Sequence, residues 1–125
     1  MSNKNECVVF KHKALLVCVN DTVSENATAK EVYEGARYAW HVRIERAKQA
    51  QVVLAIRYGQ VVGVFVPTRW LEATSENFPG RETAQGRYGF NGKVAPENIS
   101  SLYLGKRLSQ EHKLVGPIRY VGIPS

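Results

Sequence analysis

Two nearly continuous apolar runs dominate the middle of the chain. Val52-Val53-Leu54-Ala55-Ile56-Arg57-Tyr58 and Val61-Val62-Gly63-Val64-Phe65-Val66 stand on either side of Gly59-Gln60. Glycine at the first loop position suits a type II′ turn, so the pair reads as a hairpin. Neither run alternates with polar residues, so both strands are expected in a sheet interior or covered on both faces. Pro67 should end the ladder, with Arg69-Trp70-Leu71 resuming it after a bend.

Cys7 to Val19 is rich in β-branched residues and reads as a strand. Lys11-His12-Lys13 interrupts it, which marks a bulge or a turn between two short strands. Thr28-Ala29-Lys30-Glu31 has the form of a capping box. Val32, Tyr33, Ala36, Ala39 and Trp40 follow at helical spacing. Residues 44–50 predict a second short helix with Ala47 and Ala50 inward and Arg43, Arg46 and Lys48 outward. Residues 74–86 form a long polar loop, a length that in compact domains goes with mobility or function. Arg87 to Lys93 reads as an aromatic strand and turn. Pro96 to Leu104 is a short helix closed by Gly105, and Ile118 to Ile123 is a last strand.

This order predicts an α+β fold. Its sheet is small and mostly antiparallel, or a pseudobarrel, with two or three short helices to one side or end. The 125 residues form one domain: an ordered core over 7–123, a polar tail over 1–6, and the long loop over 74–86. Hydrophobic residues at 44 % suffice for one core. No apolar run approaches the length of a membrane span, and the polar N-terminus lacks a signal core, so a cytoplasmic location without membrane partners is expected.

Charge narrows the function. Seventeen Lys and Arg against 11 Asp and Glu give +6, which favours a polyanionic partner, nucleic acid first. Nine of the cations are Arg, whose fork matches phosphates and base edges. Asp21 is the sole aspartate and the ten Glu are scattered, which weakens the reading as a Mg²⁺ nuclease, whose carboxylates cluster. His12, His41 and His112 are widely spaced, and Cys7 and Cys18 are the only cysteines; no metal site, cofactor or catalytic residue is assigned. Cys18 lies in an apolar run, where a thiol is inert. Ser100, Ser101 and Ser109 lack a nucleophile elbow.

Aromatics interleaved with cations carry the candidate chemistry. Trp40, Trp70, Tyr88 and Phe90 stand near His41, Arg43, Arg69 and Arg87. A ring stacks a base while a cation anchors phosphate. The binding set is Trp40, Arg43, Arg69, Trp70, Arg87, Tyr88 and Asn91, with Lys106 and Arg107 as a rim that follows the backbone. The competing role for Trp40 is to close a helix stripe in the core, and Tyr88 and Phe90 share one strand face that could equally be core. Trp70 leads into the long loop and Arg87-Tyr88 lead out, so the loop ends should meet around one pocket.

From Trp40 to Trp70 the chain runs through an Arg- and Ala-rich helical segment, a hydrophobic strand, a glycine turn and Val61-Val62-Gly63-Val64-Phe65. This resembles the centre of the PUA-like superfamily, which includes the ASCH and EVE domains. Gly86-Arg87-Tyr88-Gly89-Phe90 and Ile118-Arg119-Tyr120-Val121 would supply later barrel strands. The resemblance covers the layout of residues 8–123 and is specific around 52–66. It implies a pseudobarrel that binds RNA or modified DNA, often with a pocket for one flipped base and, in most members, without catalysis. The Gly-Lys-Lys/Thr-x-Glu-x-Arg stretch of ASCH domains has no counterpart; Gly105-Lys106-Arg107 is the nearest fragment and falls too late in the chain. The alternative reading is a small interaction protein of a mobile element or defence system that docks on a protein partner or a nucleotide signal. An enzyme acting on nucleic acid ranks third.

Overall fold

The structure is a computed structural model that describes residues 6–124. Its strands are β1 (Ala14–Cys18), β2 (Val52–Arg57), β3 (Gln60–Glu72), β4 (Tyr88–Val94) and β5 (Ile118–Val121). Its helices are α1 (Ala29–Ala36), α2 (Ile44–Ala47) and α3 (Glu97–Tyr103), with a 3₁₀ turn at Gln110–His112. The fold is α+β, built on one open mixed sheet in the order β4-β3-β2-β1-β5. β1 and β2 pair in parallel, and the remaining pairs are antiparallel. None of the helices among the described residues is long and apolar enough to cross a membrane.

Both faces of the sheet are covered. Leu15, Val17, Val53, Ala55, Phe65 and Phe90 pack against Val32 and Ala36 of α1, Trp40, Val42 and Ala47 of α2. Ala14, Leu16, Val52, Leu54, Ile56 and Val64 pack on the opposite face against Val8, Ala95 and Tyr103. This two-sided burial explains why β2 lacks alternation. Cover on both faces replaces the expected placement of helices at one side or end. Tyr103 anchors the second layer: its hydroxyl accepts from the Lys11 N–H at 2.9 Å and lies 2.7 Å from His12 Nδ1. Burial raises its pKa above the ordinary tyrosine value, against the opposing hydrogen bonds.

Several local expectations change. Only Ala14–Cys18 of the run from Cys7 to Val19 is strand; Cys7 makes an isolated bridge with Arg107. The hairpin turn is Tyr58-Gly59, with φ of 47° and 78°, and Arg57 pairs with Gln60. Positive φ at both central residues makes it type I′ rather than II′, the turn whose twist suits the flanking strands. β3 passes through Pro67 with a register shift between Pro67 and Arg69. Proline is tolerated there because β2 has already ended: its last pair with β3 is Val53 with Phe65.

Helix α1 starts as expected. Thr28 caps it, with the Glu31 carboxylate accepting the Thr28 N–H and the Thr28 hydroxyl accepting the Glu31 N–H. The helix then stops at Ala36, four residues short of the expected stripe. The Trp40 indole N–H donates to the Ala36 carbonyl at 2.7 Å, satisfying an acceptor that a further turn would have used.

The span after α1 reaches both outer strands. The Phe90 N–H donates to the Arg37 carbonyl at 2.9 Å, on the outer edge of β4. The Arg43 N–H donates to the Tyr120 hydroxyl at 2.8 Å, on β5. Arg46 lies 4.0 Å from the Tyr120 ring centroid and donates to the Ile123 carbonyl at 2.9 Å. Arg46 is thus half-buried rather than outward-facing.

Candidate functional site

β3 outruns β2, so Pro67–Glu72 and Tyr88–Asn91 project as a two-stranded arm. Arg69 pairs with Asn91, Trp70 with Phe90 and Glu72 with Tyr88. Residues 74–86 close the far end of this arm. The loop is irregular, as expected, but it is tied down. Phe78 is buried, 4.9 Å from the Tyr38 ring and 4.9 Å from the Arg37 guanidinium. Arg81 donates to the Glu34 carbonyl at 2.6 Å and lies 3.3 Å from its carboxylate. Residues 37–38 and 34 thereby hold the loop against the end of α1.

The loop ends meet: the Ala73 N–H donates to the Arg87 carbonyl at 2.9 Å, and Ala84 N–H to the Ala73 carbonyl at 2.8 Å. A pocket of about 490 Å³ lies between residues 72–74 and 83–88. Arg87 and Tyr88 line it, but Trp70 does not. Trp70 lines a neighbouring pocket of about 400 Å³ with Lys48, Pro67, Thr68 and Arg69. The single pocket expected from the sequence is therefore two.

Trp70 is partly buried, its ring centroid 5.3 Å from that of Phe90. Its indole N–H is buried with no acceptor among the described residues. Lys48, Arg69 and Arg87 are exposed, and none of them joins an ion pair among the described residues. Arg43 is exposed too, with its backbone held by Tyr120.

The other expected site residues lie elsewhere. Trp40 is 8 % exposed and belongs to the core, because its backbone pairs with Tyr88 and its ring fills the space below the sheet. Asn91 is turned to an internal role: its side chain accepts from Arg37, and its carbonyl accepts from the Thr68 hydroxyl at 2.9 Å. Lys106 is half-buried, 3.5 Å from the Glu6 carboxylate. Arg107 bridges Gln60 at the start of β3. Ten residues of strand separate Gln60 from Trp70, roughly 33 Å at a rise of about 3.3 Å each. Lys106 and Arg107 thus stand at the opposite end of the sheet from Arg69 and Trp70.

Lys48 was legible only as an outward cation; its place beside Trp70 depends on the chain turning into β2 next to the unpaired side of β3. Among the described residues, no three His, Cys, Asp or Glu side chains converge to hold a metal ion. No protein-family model, curated protein or solved structure matches this chain.

Proposed function

We propose that the protein is a non-catalytic nucleic-acid-binding module of PUA-like type that takes an unstacked base, of RNA or of modified DNA, at the Trp70 pocket. One observation carries this reading: Trp70 shares its pocket with two exposed cations, Lys48 and Arg69. A base offers the indole a π-face, and its phosphates offer the cations a counter-charge. The excess of positive charge, +6, supports a polyanionic ligand.

The test is a filter-binding titration of single-stranded RNA and DNA oligonucleotides at several salt concentrations, with wild type, Arg69→Ala and Trp70→Ala. Affinity falling steeply with salt, and weakened in both variants, is the expected result. Absence of binding at low salt would favour the interaction protein that docks on another protein.

A further inference from the structure

The hairpin tip carries a residue that its turn disfavours. A type I′ turn is best served by Asn-Gly or Gly-Gly at its centre, yet here Tyr58 stands at φ 47° before Gly59. A bulky side chain in the left-handed region is a genuine outlier and is strained by its Cβ. Packing does not offset the strain, because Tyr58 is 62 % exposed. No other Phe, Tyr or Trp among the described residues is in the exposed class. Its position is nevertheless fixed: the Tyr58 N–H donates to the Asn20 side-chain oxygen at 2.7 Å, and the Arg57 guanidinium lies 5.0 Å from its ring centroid.

A pocket of about 410 Å³ lies beside this ring. Arg107, Lys113, Ser109 and Gln110 line it, and no acidic side chain does. Arg107 and Lys113 are exposed and form no ion pair among the described residues. The Leu108 N–H donates to the Gly59 carbonyl at 2.9 Å, which fixes the cationic segment to the turn.

We infer that the hairpin tip is a second ligand site, for a nucleotide, with the base stacked on Tyr58 and the phosphate held by Arg107 and Lys113. Backbone strain kept at an exposed aromatic is characteristic of binding sites, and base–aromatic stacking needs only a presented ring and a nearby positive charge. The site lies at the far end of β3 from Trp70 and stands without the reading proposed for that pocket. The same chemistry is met by a free mononucleotide and by one unit of a single strand.

Amide NMR titrations of the full chain distinguish the two sources. One series uses AMP, GMP, CMP and UMP, the other a short single-stranded RNA. Shifts at Gly59 and residues 107–113 with a mononucleotide identify a free-nucleotide site; shifts there with the RNA alone identify a strand contact. Tyr58→Asn supplies the decisive variant, since Asn suits the turn and removes the ring. It should raise the melting temperature while weakening binding at the tip about tenfold or more. Arg107→Gln should also weaken it, and Trp70→Ala should leave it intact. No shifts at the tip with either series, undiminished binding in Tyr58→Asn, or loss of tip binding in Trp70→Ala would overturn the inference.

Discussion

Trp40 and Tyr88 exchange a pair of backbone hydrogen bonds, Trp40 N–H to the Tyr88 carbonyl at 2.7 Å and Tyr88 N–H to the Trp40 carbonyl at 2.9 Å. One residue therefore ends a helix, extends the sheet past β4 and fills the core. Trp40→Ala should cost about 3–5 kcal/mol, the range for emptying a buried aromatic site. Urea denaturation reads this directly, and a loss below about 1 kcal/mol would remove Trp40 from the core.

Trp70 packs on the core and lines the proposed site. Trp70→Ala should weaken nucleic-acid binding by about 1–3 kcal/mol, the worth of one base–aromatic stack. From the sequence alone, Trp70 at a rim would leave the melting temperature nearly unchanged. Its packing on Phe90 at 5.3 Å now predicts a measurable drop as well. Trp70→Phe separates the two effects: the fold should recover more than the binding does. Unaltered affinity in Trp70→Ala would take the residue out of the site.

Salt dependence distinguishes the two ends of the sheet. Arg87→Ala should reduce the slope of log affinity against log salt by about one unit, the share of one phosphate contact. Lys106→Ala should leave the slope unchanged, because Lys106 is half-buried and paired with Glu6 at 3.5 Å. The sequence, which shows only charge, assigns both residues the same effect. The reverse pattern would move the polyanion surface to the hairpin end.

The cap of α1 carries a pH signature. The backbone N–H and the hydroxyl of Thr28 hold Glu31 below the usual glutamate pKa. The folded state thus favours the carboxylate. Its contribution is complete above the unfolded-state pKa and fades as acidification passes through the lower folded-state value. Thermal melts of wild type and Glu31→Gln should converge in acid and separate towards neutrality. Thr28→Ala should lower the melting temperature at neutral pH by a few degrees.

Gly92 permits the close approach of β3 and β4. A Cβ there would lie 2.5 Å from the Val66 carbonyl oxygen and 3.0 Å from the Pro67 Cα, both backbone atoms. Gly92→Ala should therefore cost about 1–3 kcal/mol in chemical denaturation, as overpacking does. A neutral result would mean that the β3 bulge yields.

Local signals were legible wherever the partners were neighbours in sequence. Thr28 and Glu31 sit within one helical turn, so the cap could be read outright. Arg69 and Trp70 are adjacent, so half of the pocket chemistry was visible. Trp40 misled because its spacing from Val32 and Ala36 fits a helix, while its true partner, Tyr88, lies far along the chain. The parallel pairing of β1 with β2 is non-local in the same way. The turn slipped by one residue because glycine was given the first central place, which Tyr58 holds. Lys106 and Arg107 joined the binding set through charge alone, and charge carries no information about position.

The span from Arg37 to Arg46 also orders events in time. Its first half docks on β4, but its second half needs the Tyr120 hydroxyl, from β5, and the Ile123 carbonyl, two residues beyond that strand. During synthesis, Arg43 and Arg46 emerge 77 residues ahead of the partners they wait for. Long-range closure of this kind is slow compared with forming α1 or the β2–β3 hairpin. A nascent chain stalled before Tyr120 would hold this span by one end only, with the exposed flank of β1 still unpaired and open to another strand.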